Sequence, residues 1–273
     1  MKEFILNNGV RIPAIGLGVF RVNDANVAYE TVKSALSVGY RHIDTAMIYG
    51  NEEEVGKAIK DSGVPRQEIF LTTKLWNDDQ RSGKVKEALD ASLEKLGTNY
   101  VDLYLVHWPV RGTYVSVWKK MEEIYRAGKV KAIGVSNYHS HHLDDLLQQA
   151  EIVPAVNQIE CYPYLIQESL INYCKEKGIY PEAWGPLGAG QSDVLSNPVV
   201  LEIAKKHNKS AAQIVLRWNL ERGVIVIPKS VHKERQIENL NINDFQLTDT
   251  EVKQISSLHK GLRLGSDPDN FNF

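Results

Sequence analysis

Asp44, Tyr49, Lys74 and His107 are the residues of this chain whose types and spacing best suit chemistry. Aspartate, lysine and histidine lie at or near the ends of the β-branched runs YRHIDTA (40–46), IFLTTKL (69–75) and VDLYLVHWP (101–109). Tyr49 follows Asp44 by five residues, in the loop AMIYG. Free phenols titrate near ~10 and lysines near ~10.4, so neither donates protons readily at neutral pH without help. An ammonium beside a phenol favours phenolate, and a carboxylate fixes that ammonium in place. The four groups together could protonate a carbonyl oxygen while another reagent attacks its carbon.

The surrounding pattern must bring these residues to one rim. EFILNNGVRIP predicts a hairpin turning at Asn8-Gly9. Strands are expected at 14–18, 40–46, 69–75, 101–108, 131–138, 155–161, 179–187 and 224–230. Amphipathic segments lie between them. ANVAYETVKSAL aligns Val27, Val32 and Leu36, and KVKEALDASLEKL aligns Val85, Leu89, Leu93 and Leu96. Gly128, Gly178 and Gly223 close helical runs, and Thr248 or Asp249 caps a late extra helix over 247–260. Eight strands alternating with helices, without a linker, predict one domain over 1–273. Its expected fold is an α/β (β/α)8 TIM barrel with an N-terminal hairpin and an extra C-terminal helix. Active sites of such barrels lie at the C-terminal strand ends. Within each strand, His42 with Asp44, Thr72 with Lys74, and Leu105 with His107 share a face.

Composition sets limits. The chain has 273 residues, 43% of them hydrophobic, enough for one large core. A net charge of −2 argues against a general nucleic-acid or membrane-surface binder. Two cysteines, Cys161 and Cys174, make no disulfide scaffold and fit a reducing cytoplasm. No signal-type apolar run opens the chain, and no apolar stretch of about 18 residues occurs. A cytoplasmic monomer acting on a small carbonyl compound is expected.

Several segments closely resemble the aldo-keto reductases. They are GYRHIDTAMIYGNEEEVGKAI, TTKLW, DLYLVHWP, GKVKAIGVSNY, VNQIECYP, EAWGPLG, RWNLERGVIVIPKS and DPDNF, in the family's order over nearly the whole chain. The resemblance is strongest to the bacterial branch of diketogluconate and glyoxal/methylglyoxal reductases. It implies a tetrad in which Tyr49 gives a proton to the carbonyl oxygen as NADPH supplies hydride. Lys74, paired with Asp44, lowers the phenol pKa, and His107 orients the substrate as a neutral donor. It also implies that Ser136, Asn137 and Gln158 hold the nicotinamide amide. Trp184 stacks on the nicotinamide where the family usually has tyrosine, and Leu187 meets the pyrophosphate through its backbone. Lys229, Ser230, Arg235 and Asn239 read the 2′-phosphate, and Glu238 lies by the adenine amino group. A phosphate site after the eighth strand agrees with barrel habit, and a helix N-terminus there favours an anion.

The chain also departs from the family pattern. Phe20 stands where many members place a tryptophan in the substrate pocket, and Gly185 and Ala189 lack hydroxyls common at those positions. The loop after His107 and the C-terminal tail are short, which predicts an open pocket. Trp76, Trp108 and Tyr162 follow strand ends, and Phe271 lies in the tail. Trp76, Trp108 and Phe271 are expected to line the substrate site together with Phe20. His139, His141 and His142 lack a cysteine or carboxylate at ligand spacing, so they are expected to decorate a helix start and no metal is expected. Two other classes fit parts of the pattern. A lysine at a barrel strand end also suits a Schiff-base lyase or aldolase, and a non-catalytic cofactor-binding barrel would need no tetrad.

Overall fold

The computed structural model describes residues 2–273. Strands β1 (Glu3–Ile5) and β2 (Arg11–Pro13) form the antiparallel hairpin, with Gly9 in the left-handed region at its turn (φ 84°). Eight further strands pair in chain order, each parallel to the next. They are β3 (Leu17–Gly18), β4 (His42–Asp44), β5 (Phe70–Leu75), β6 (Val101–Val106), β7 (Val130–Ser136), β8 (Val156–Glu160), β9 (Tyr180–Trp184) and β10 (Ile225–Val226). A parallel bridge between Ile15 and Val226 closes the ring, supported by the bond from Gly16 N–H to the Val226 carbonyl at 2.8 Å. The expected barrel is therefore observed.

Helices return between the strands and bury their apolar faces on the outside of the sheet. In the helix Val85–Leu96, the residues Val85, Leu89, Leu93 and Leu96 are all buried, as their spacing predicts. The helix Ala25–Val38 differs, because its inward face is Ala28, Thr31, Val32, Ala35 and Leu36, and Val27 is exposed. Its N-cap explains the difference. Asp24 accepts from the Val27 N–H at 2.9 Å, which fixes Val27 in the first turn, away from the sheet. The late helix Asp249–Ser256 is capped reciprocally by Thr248 and Glu251.

Strand parity sorts the interior. Phe70, Leu103, Leu105, Ala132, Val156 and Ile225 form an apolar cluster with Leu6 and Ile12 of the hairpin. The hairpin thus plugs the N-terminal mouth, while residues further along the same inward faces reach the opposite end. No helix among the described residues is long and apolar enough to cross a membrane.

Candidate active site

Asp44 is the last residue of β4, Lys74 is the fifth of six in β5, and His107 follows β6 directly. Adjacent parallel strands put the three side by side at the C-terminal mouth. Tyr49 arrives on the short turn Met47–Tyr49, which ends at Gly50 in the left-handed region (φ 67°).

Lys74 is completely buried. Its Nζ donates to Asp44 Oδ1 at 2.6 Å, to the Thr45 carbonyl at 2.8 Å and to Tyr49 Oη at 3.4 Å. Asp44 uses its other oxygen to accept from Gln158 Nε2 at 2.8 Å. The His107 ring meets the Tyr49 ring edge-on at 5.7 Å and the Trp76 ring at 5.2 Å.

Burial disfavours the Lys74 ammonium, but the Asp44 charge and the hydrogen bonds to Asp44 and the Tyr49 oxygen outweigh it and hold the amine above its ordinary pKa. Burial pushes the Tyr49 phenol above its ordinary value, and Lys74 only partly offsets this. Tyr49 is half-buried, and its hydroxyl accepts from the fully buried Lys74. The expected downward pull of Lys74 on the phenol is present, but it is not the largest influence. Lys74 pulls downward, desolvation wins, and the phenol remains protonated. Burial, with the Lys74 charge second, drives His107 well below its ordinary value, so its imidazole is neutral.

The polar residues beside the tetrad form a second set. Ser136 ends β7 and donates to the Gln158 carbonyl at 2.9 Å. Asn137 adopts a left-handed conformation (φ 66°) and donates to the His107 carbonyl at 3.0 Å and to Ser136 Oγ at 3.1 Å. Its side-chain oxygen accepts from Trp184 Nε1 at 2.8 Å, which fixes the indole at the rim.

Residues 14–260 match the sequence pattern of the aldo/keto reductase family. The chain belongs to the aldo/keto reductase family. It is 51% identical to the glyoxal reductase of Bacillus subtilis over 98% of this chain and 96% of that protein. It is 45% identical to the methylglyoxal reductase DkgA of Escherichia coli over 97% and 96% of the two chains. The crystal structure of MGS-M4, an aldo-keto reductase from a Medee basin deep-sea metagenome library, superposes with a TM-score of 0.96. That pair is 49% identical and covers 99% of this chain and 100% of the other. Membership makes the protein an oxidoreductase of carbonyl groups that works with a nicotinamide cofactor.

The other expected positions of this aldo-keto reductase lie in the segments that follow β9 and β10. After Trp184, Leu187 is half-buried in a loop where Gly185, Gly188, Ala189 and Gly190 all take positive φ. Strand β10 stops at Val226, so Lys229 and Ser230 lie beyond it in irregular chain. Pro228, which lacks an N–H, cannot extend the ladder. Lys229 and Arg235 are exposed at the start of the helix Lys233–Leu240. Ser230 is buried, its hydroxyl bonded to the His232 backbone. Asn239, four residues after the exposed Arg235 in the same helix, is buried as well. Glu238 accepts from the Ser210 hydroxyl of a neighbouring helix.

The substrate rim is aromatic. Trp108 packs on Phe271 at 5.2 Å, and Phe20 lies over Tyr49 at 5.0 Å while remaining 54% exposed. Tyr162 is fully buried and donates to the Leu262 carbonyl at 2.9 Å, so it anchors the tail and does not line the rim. Cys161 is buried near Arg222.

Two features escaped the sequence reading. Phe273 stacks on Trp76 at 5.8 Å and meets Trp108 edge-on at 5.2 Å. Its carbonyl accepts from Asn77 Nδ2 at 3.1 Å and from Arg81 Nη2 at 2.7 Å. Its alternation with Phe271 was the available clue. Beneath Asp44, the fully buried His42 and Glu182 approach to 3.7 Å. Burial, with the Asp44 charge second, pushes Glu182 up to about 8. Burial pushes His42 down to about 3. Both are uncharged near pH 7, so their approach is not an ion pair. The parity of β9, which puts Glu182 on one face with Trp184, could have placed it inside.

Proposed function

We propose that this aldo-keto reductase reduces aldehydes and ketones to alcohols with NADPH, and that Tyr49 is the proton donor. Small dicarbonyls such as methylglyoxal and keto-sugars are the proposed substrate classes. The observation that carries the reading is the Lys74 ammonium held between Asp44 and the Tyr49 hydroxyl. The similarity to proteins named glyoxal reductase and methylglyoxal reductase supports the dicarbonyl class.

The donor set fits the cofactor. Ser136, Asn137 and Gln158 offer amide and hydroxyl partners for a carboxamide, beside the half-buried Trp184. Leu187 would meet the pyrophosphate through its backbone. Exposed Lys229 and Arg235, with Ser230 and the start of the helix Lys233–Leu240, suit a phosphate. Asn239 and Glu238 would support that wall from the inner side. When bound, the nicotinamide supplies the hydride.

The chain's own residues manage the proton. Tyr49 is protonated in the resting site and gives its proton to the carbonyl oxygen as negative charge builds there. The resulting phenolate lies 3.4 Å from the Lys74 ammonium. At an effective dielectric of about 20, such a pair is worth roughly 5 kcal/mol. That attraction grows only as the proton leaves, so it favours the transition state over the ground state. Asp44 keeps the ammonium in position, and neutral His107 can donate to the substrate oxygen without competing as an acid. Phe20, Trp76, Trp108 and Phe271 provide apolar walls that exclude water. A Schiff-base role for Lys74 requires a neutral amine, which Asp44 opposes.

Tyr49→Phe should bind NADPH as the wild type does and lose at least ~10² in turnover. NADPH absorbance with methylglyoxal measures this, and near-normal turnover would move the acid elsewhere. Arg235→Ala should weaken NADPH by about one to two decades and leave NADH nearly unchanged, since a charge-assisted hydrogen bond contributes roughly 1.5–3 kcal/mol. Equal losses for both cofactors in a binding titration would remove the 2′-phosphate assignment.

A further inference from the structure

The helix Ser140–Leu147 begins with three imidazoles, from His139 at its N-cap and from His141 and His142 in its first turn. The helix's own carboxylates, Asp144 and Asp145, accept from the Tyr173 and Tyr114 hydroxyls. A third carboxylate reaches the imidazoles from the tail, which returns to the same place and presents Asp269. A tight turn holds that residue, in which the Asn270 N–H donates to the Asp267 carbonyl at 3.0 Å and the Asp269 N–H to Asp267 Oδ1 at 3.0 Å.

Asp269 Oδ2 lies 3.0 Å from His139 Nδ1. Asp269 Oδ1 lies 2.9 Å from His141 Nε2 and 3.3 Å from His142 Nε2. One ligand atom from each of the four residues falls within 4.8 Å of all the others. Zinc–nitrogen and zinc–oxygen bonds of about 2.0–2.2 Å in a tetrahedron set neighbouring ligand atoms about 3.3–3.5 Å apart. The observed spacings need only small side-chain shifts to reach that figure.

Hydrogen bonding distinguishes the three histidines. His142 Nδ1 accepts from the His139 backbone N–H at 3.1 Å, so its Nε2 carries the hydrogen and donates toward Asp269. It is thus a supporting group that orients the carboxylate. His141 is 58% exposed and has no such constraint. His139 Nε2 meets Arg263 only at 3.4 Å, and that guanidinium can turn toward the Glu160 carboxylate, 4.0 Å away.

We propose that His139, His141 and Asp269 bind a divalent transition-metal ion of the zinc class, with His142 supporting Asp269 and water completing the shell. Imidazole and carboxylate donors suit zinc. The positive end of the helix dipole opposes the ion and the Asp269 charge offsets it, so micromolar affinity is expected. The site would be structural. It fastens Asp269 in a segment whose neighbours touch both halves of the active site. Gly265 packs against Trp184, and Phe271 and Phe273 cover Trp108 and Trp76.

The test uses the full chain without an affinity tag, stripped with chelator and titrated with zinc chloride by calorimetry. One equivalent should bind. His141→Ala and Asp269→Asn should each weaken binding more than tenfold, while His259→Ala, outside the cluster, should bind as the wild type does. His141 is exposed, so its removal leaves the fold intact. Asp269→Asn keeps the shape of the side chain, and a thermal melt confirms that both variants fold. Cobalt(II) should give a visible absorption band of low-coordinate geometry that is lost in the same two variants. Affinity no better than millimolar, binding that survives either substitution, or equal loss in His259→Ala would overturn the proposal.

Discussion

The two ends of the barrel interior are built from the same strands and the same faces, yet they do opposite work. Strand β5 presents Phe70 at the hairpin end and Lys74 at the other, four residues later. Leu103 and Leu105 precede His107, and Val156 precedes Gln158. The lower end is an apolar plug. The upper end buries the Lys74–Asp44 pair and the neutral His107, with the uncharged His42 and Glu182 beneath them. The difference teaches that the site's charges are tolerable because they are paired and hydrogen-bonded to one another, while the lower layer holds the strands in register. Stability is concentrated below, and strained electrostatics above.

The sharpest way to break this contrast is Lys74→Met. It removes the cation and leaves Asp44 buried and unpaired, a change that typically costs about 3–5 kcal/mol. Turnover should also be lost. Denaturant unfolding with an activity assay measures both, and a stable variant would show that Asp44 protonates or hydrates freely. Next is Leu103→Ala in the lower layer. A buried leucine truncation should cost about 2–5 kcal/mol. Turnover per folded molecule should stay within about a factor of two, because the sites are remote enough to act independently. A comparable loss of turnover would mean that the two layers are not separable.

A third test is a pH dependence. Glu182 has its folded-state pKa raised from 4.5 to about 8. Below about pH 4.5 it is protonated in both states, and its burial costs least there. As pH rises toward about 8, only the unfolded chain releases the proton, so stability falls through that window. Asp44, Lys74 and His42 face Glu182 in both the wild type and Glu182→Gln, so to first order they cancel in the difference. The thermal midpoint of Glu182→Gln, relative to wild type, should therefore be higher at about pH 9 than at about pH 5. A difference independent of pH would mean that Glu182 is hydrated and titrates near its ordinary value.

Much of this architecture was legible in the order of residues. The alternation of strands and helices, the inward parity of Asp44 and Lys74, and the buried faces of helices such as Val85–Leu96 follow from periodicities of two and 3.6. These patterns are local, because each element carries its own record of which side faces inward. The tetrad stood out because polar groups at several strand ends of a barrel must meet. Ser136, Asn137, Gln158 and Trp184 also came together as their motifs implied.

Other properties required the tertiary structure, because they depend on segments distant in sequence. The Asp24 cap turned Val27 outward, and packing of the helix Lys233–Leu240 buried Asn239 while leaving Arg235 exposed. Only the folded tail brought Phe273 to Trp76 and Asp269 to three histidines. The Tyr49 phenol showed the same limit in its charge state. Residue types predicted the downward pull of Lys74, but the balance against desolvation depends on everything packed around the hydroxyl. Periodicity tells a chain which faces to bury. The depth of burial, and the electrostatics that follow from it, are set only once all the faces have met.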